Sequence, residues 1–137
     1  MNIKEAKELL SFHSSRNSDI QNPKWKNGFL GILRPFGGEL HQENFIEVIE
    51  CLKTLTNEFS TPTIDRETIS DIVAIIHLTR EWTSPDGGML EVNHLLTEEQ
   101  TKDLLTWIDI IESCFMMLLD GCGEESFEEY EAYLNDV

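Results

Sequence analysis

The sequence predicts an all-α protein, a single helical domain over residues 1–137 built as a bundle of four to five main helices, with an irregular apolar segment around residues 24–38. Three observations carry that prediction. Apolar residues recur at three- and four-residue spacing along several long stretches, as in helices with one buried face. Sustained apolar–polar alternation, the mark of a half-buried strand, is missing from the sequence. Clusters of Gly, Pro, Ser and Asn separate the periodic stretches by connections short enough to favour antiparallel neighbours.

Residues 3–13, IKEAKELLSFH, form the first predicted helix, with Ile3, Ala6, Leu9, Leu10 and His13 along one side. Ser, Asn and Pro in SSRNSDIQNP end it. KWKNGFLGILRPF, residues 24–36, is apolar but interrupted by Gly28, Gly31 and Pro35. An ordered loop, a single helical turn or a short extended segment all fit it. Its Trp25, Phe29, Leu30, Ile32, Leu33 and Phe36 are too apolar for water and are expected to pack across the end or side of the bundle.

A helix over residues 41–59 follows, with Phe45, Val48, Ile49, Leu52, Leu55 and Phe59 as its stripe. STPT breaks it, and Thr63 or Asp65 caps the next helix, which runs to about Trp82. That helix carries two stripes, Ile69, Ile72, Val73 and Ile76 in one and Ile75, Leu78 and Trp82 in the other. Two stripes imply neighbours on both sides. SPDGG closes it, and MLEVNHLL after it reads as a helical turn. Thr97 and Gln100 then form a capping box for a helix reaching Leu119. Its predicted buried side is Leu104, Leu105, Ile108, Ile111, Cys114, Phe115, Leu118 and Leu119, and Gly121 is a natural left-handed cap. In the last helix, residues 124–135, Phe127, Tyr130 and Leu134 face inward.

At 137 residues the chain fits one domain, large enough to bury roughly 68–70% of its unfolded surface without metal or disulfide staples. The charge is lopsided. Residues 1–38 hold six Lys/Arg and three Asp/Glu, a net of +3, whereas residues 39–137 hold four and 23, a net of −19. Such a surface repels nucleic acid and anionic membranes and attracts basic proteins. The odd, widely spaced Cys51, Cys114 and Cys122 are no disulfide framework. MNIKEAKELL lacks an apolar signal core, and no run approaches the length of a membrane helix. A reducing, bacterial cytoplasm is the expected setting.

Two stretches, RPFGGEL and SPDGGML, share Pro-x-Gly-Gly-x-Leu fifty residues apart. Alternating helix directions would bring both turns to one end of the bundle. Trp25, Arg34, His41, Trp82, Asn93 and His94 could then converge into a small-ligand or enzyme site, and that is the alternative functional expectation. The plainer reading is a pair of turns that seal the bundle end.

Motifs for nucleotide binding, serine hydrolysis and thiol redox chemistry are missing, and the four scattered histidines offer no His-x-x-x-His pair. No metal and no cofactor is expected. His77, inside AIIHLT, reads as a core histidine bonded to a neighbour. The carboxylates are more suggestive. Glu43 and Glu47 repeat at i, i+4, as do Glu124 and Glu128, a mildly unfavourable spacing that a cationic partner would relieve. Asp120 to Val137 holds seven acidic residues and no basic one. The leading expectation is a non-enzymatic acidic protein-binding module of the bacterial immunity or antitoxin type, masking a basic toxin domain such as a nuclease. Glu43, Glu47, Glu50, Glu124, Glu128, Glu129 and Glu131 would steer the partner, with Phe127, Tyr130 and Tyr133 as energetic anchors. A self-associating helical adaptor, a homodimer, is the second alternative.

Overall fold

In the computed structural model residues 1–136 are described, and they form an all-helical bundle. Val137, the last residue of the predicted domain and of its acidic tail, lies outside them. The helices are α1 (Ile3–His13), α2 (Pro23–Asn27), α3 (Gln42–Thr54), α4 (Arg66–Thr83), α5 (Met89–Val92), α6 (Glu98–Leu119) and α7 (Glu128–Asn135). α1 packs on α3 and α4, α6 packs on both of those, and α7 closes against α6. Between them lies one core, with Leu10, Leu33, Phe45, Ile49, Leu52, Ile72, Ile75, Leu104 and Ile108 all buried. Burying each such side chain is worth about 1.5–3 kcal/mol.

Local chemistry explains the helix starts. Asn2 accepts from the Glu5 N–H, Asn22 from the Lys24 N–H ahead of Pro23, and Asp65 from the Glu67 N–H. The Thr97–Gln100 capping box closes in both directions at 3.0 Å. α3 departs from the expected range of residues 41–59. It ends at Thr54, and Thr56–Ser60 tighten into a 3₁₀ turn. The hydroxyls of Thr54 and Thr56 donate to carbonyls three or four residues back, so side chains compete for the groups that would carry the helix onward. The last helix likewise starts late, at Glu128, behind a 3₁₀ turn over Gly123–Phe127.

The irregular segment resolves into two pieces, the single turn α2 and a 3₁₀ turn at Gly31–Leu33. A Cβ on Gly31 would collide with the Trp25 carbonyl, so only glycine lets the two pieces approach so closely. Phe29, Leu30 and Leu33 are buried beneath them. The Arg34–Pro35 peptide is cis.

α4 is covered less fully than its two stripes imply. Ile72, Ile75 and Ile76 are buried, but Val73 is 48% exposed, and Ile69 and Leu78 are half-buried. His77 is not in the core: its side chain is 68% exposed and pairs with Glu81 at 3.1 Å. Leu119 of α6, also expected inside, is 45% exposed. Trp107, absent from the predicted stripe, is buried instead. It stacks on Phe45 with ring centroids 5.6 Å apart and donates its indole N–H to the Tyr133 hydroxyl at 3.0 Å. Tyr130 and Tyr133 meet Phe45 edge-on. This four-ring cluster fastens α7 to α3 and α6, each aromatic pair adding about 0.5–1.5 kcal/mol beyond its buried area.

Candidate functional site

The expected acidic face divides in two. On α3, Glu43 points to His41 at 3.9 Å and Glu47 meets His13 at 2.8 Å. Glu50, one turn further along, belongs with α7, because both reach for Lys53. The Lys53 ammonium lies 2.7 Å from Glu131 and 3.7 Å from Glu50. It also sits 5.7 Å from the Phe127 ring centroid and 5.1 Å from that of Tyr130. Around it opens a cleft of about 630 Å³, lined by Glu124, Phe127, Glu128 and Glu131 with Thr56 and Asn57 opposite. Glu129 is exposed but lies outside this lining.

The aromatic anchors require correction. Phe127 and Tyr130 are 5% and 1% exposed and belong to the core. Tyr133 is half-buried and its hydroxyl is engaged by Trp107. Tyr130 and Tyr133 turn in to the aromatic cluster around Phe45, and Phe127, at the end of the 3₁₀ turn before α7, is buried with the core. Large apolar side chains are left in water elsewhere, among them Ile20, Val73 on α4, Val92 on α5, and Met116 and Leu119 on α6.

The two Gly-Gly turns do reach the same end of the bundle. The Arg34 guanidinium lies 6.0 Å from the Trp82 ring centroid, and Gln100 at the start of α6 donates to the Gly38 carbonyl at 2.9 Å. They do not make one site. Trp25, Arg34 and His41 line a cleft of about 550 Å³ together with Lys26, Ile32, Gly37 and Gly38. Trp82 lines a separate cleft with Ser84, Gly87 and Gly88. Asn93 and His94 line neither cleft. Asn93 donates to the Met89 carbonyl, and exposed His94 takes a positive φ of 51° just beyond α5.

Two buried polar links escaped sequence reasoning. The Phe29 N–H donates to His13 Nδ1 at 2.9 Å, which leaves Nε2 to carry the proton and donate to Glu47 Oε1. That bond holds the Glu47 carboxyl below its ordinary range. One residue further on, Ser14 donates to Asp71 at 2.9 Å and Arg16 reaches the same carboxylate at 3.4 Å. Burial nevertheless dominates there and raises the Asp71 carboxyl. The one available signal was position: Asp71 falls on the buried stripe of α4, where a carboxylate demands a partner. On the outer side of α4, Arg80 grips Glu112 through two bonds of 2.8 Å and Asp109 through one of 2.9 Å.

Nucleophilic chemistry has little foothold in the core. Burial pushes the thiols of Cys51 and Cys114 up to about 12, far from the thiolate form at neutral pH. Among the described residues no cluster of three or more His, Cys, Asp or Glu side chains is arranged to hold a metal ion, and no helix is long and apolar enough to cross a membrane. No known family model, curated protein or solved structure matches the chain.

Proposed function

We propose that the protein is a non-enzymatic acidic binding module whose α3–α7 cleft receives a basic segment of a partner protein. One observation carries the reading, the seating of Lys53. An ammonium group is already accommodated between two carboxylates and over two aromatic faces, an arrangement that stabilises cations electrostatically. Glu124 and Glu128 on the same cleft have no cationic partner among the described residues and can take a second cation. Their carboxylates sit within a chain of net charge −16, whose long-range field would speed encounter with a basic surface. The particular form of the proposal is a bacterial, cytoplasmic immunity or antitoxin protein that masks a basic toxin domain.

A fluorescent hexalysine peptide provides the direct test of the cleft. It is expected to bind at low salt, to weaken as salt rises, and to weaken several-fold in the Glu124→Gln/Glu128→Gln double variant. Equal binding by the variant removes this cleft from the interface. For the toxin itself, capture from the native lysate at low salt should recover a basic protein, whose purified form should then associate more slowly with the double variant. Recovery of no basic partner overturns the reading.

A further inference from the structure

The cleft beside the first Gly-Gly turn has the opposite chemistry, and nothing in the acidic reading accounts for it. The ion pairs made by Lys and Arg among the described residues use Lys7, Arg16, Lys53 and Arg80. Lys4, Lys24, Lys26, Arg34, Arg66 and Lys102 make none, and of these Lys26 and Arg34 both line this one cleft with His41. In a chain with 26 acidic and ten basic residues, this lining carries more Lys and Arg than Asp and Glu, the reverse of the α3–α7 cleft. Glu39 is the sole carboxylate in the lining.

The walls are not merely charged. Trp25 and Ile32 supply an apolar surface; Trp25 is half-buried, and its backbone carbonyl lies close against Gly31. The Arg34 guanidinium lies 6.0 Å from the Trp82 ring centroid, a contact that restrains it. Gly37 and Gly38 also line the cleft, and a Cβ on either would meet nothing within 4 Å. A volume of about 550 Å³ suits a small organic molecule.

We propose that this cleft binds a small organic anion, a carboxylate or phosphate monoester carried on an apolar or aromatic body. Arg34 and Lys26 engage the anionic group, and Trp25 and Ile32 pack on the body. Arg34 offers a planar fork matched to either oxyanion, and Lys26 adds a mobile point charge. The proposal stands independently of the acidic cleft, which lies on α7 and shares no residue with it.

Titration of ¹⁵N-labelled protein with phenyl phosphate, benzoate and inorganic phosphate tests it. The organic anions are expected to shift the Trp25 indole and the Gly37 and Gly38 amides saturably, with Kd below about 1 mM. Arg34→Gln and Lys26→Gln should each weaken that binding roughly tenfold. Both residues are exposed, so the fold should survive, and an unchanged amide spectrum away from the cleft verifies it. Lys102→Gln, an exposed lysine outside the cleft lining, should change nothing. Absence of a saturable shift with either organic anion, or equal binding by the Arg34 and Lys26 variants, overturns the proposal. Inorganic phosphate binding as tightly as phenyl phosphate overturns the part assigned to the apolar wall.

Discussion

The two Pro-x-Gly-Gly-x-Leu turns have the same lettering and different backbones. In the first, the second glycine, Gly38, takes the positive φ of 101°; in the second, the first glycine, Gly87, takes it at 100°. The remaining glycines differ more. A Cβ on Gly37 would meet open space, whereas one on Gly88 would lie 2.6 Å from the Ser84 nitrogen and the Trp82 carbonyl oxygen. Their leucines differ too: Leu90 is 1% exposed, and Leu40 is half-buried. The second turn folds back tightly, its Gly88 N–H donating to the Ser84 carbonyl at 2.9 Å as the chain enters α5. The first stays open, borders the cationic cleft and is held from outside by Gln100. The shared lettering hides unequal needs: Gly38 and Gly87 supply the positive φ and Gly88 a close approach, while nothing at Gly37 requires glycine.

Substitution at the four glycines can break this comparison. Gly88→Ala should be the most harmful, destabilising by about 3 kcal/mol in urea unfolding, because backbone atoms on several sides must move. A loss below about 1 kcal/mol would mean that the second turn is looser than described. Gly87→Ala and Gly38→Ala should each cost about 1–2 kcal/mol, since both impose a Cβ on a left-handed backbone. Unequal values would show that one turn relaxes its dihedral.

Smaller effects sharpen the contrast. Gln100→Ala removes both its half of the capping box and the bond to Gly38. It should cost about 1 kcal/mol, and in hydrogen exchange it should loosen the first turn while sparing Gly87 and Gly88. The first turn's segment is also tied down through Phe29, His13 and Glu47. Because the folded Glu47 carboxyl titrates below its ordinary value, the tie contributes fully above about pH 4.5 and is lost as pH falls through the folded value. Glu47→Gln should therefore flatten the fall in stability below pH 4.5. An unchanged acid limb would show that this carboxylate does not support the fold. Gly37→Ala should be the least consequential, within about 0.5 kcal/mol of wild type.

Much of the fold was legible. The stripe from Phe45 to Leu52 is buried on α3 as its period requires, with Leu55 and Phe59 buried just beyond the helix end, and Asp65, one of the two expected caps, and Thr97 cap their helices. The helix ends were less legible at Thr54 and Glu128, where 3₁₀ turns replaced the last or first helical turns. Of the candidate sites, the cluster of Trp25, Arg34 and His41 came together, while Asn93 and His94 stayed apart from it. Phe127 and Tyr130 face inward as their spacing predicts, and it is their second reading, as partner anchors with Tyr133, that fails, because Phe45 and Trp107 engage the two tyrosines.

By itself the sequence determined which segments are helical, how most of them start, and that negative charge accumulates after residue 38. Those properties depend on neighbours within about four residues or on simple addition of charge. Only the tertiary structure decided which charges are paired within the fold and which are left unpaired. The bonds responsible join residues 34 apart, as in His13 and Glu47, or 78 apart, as in Lys53 and Glu131. Local periodicity places each of those groups on its own helix, but their meeting depends on how the helices pack.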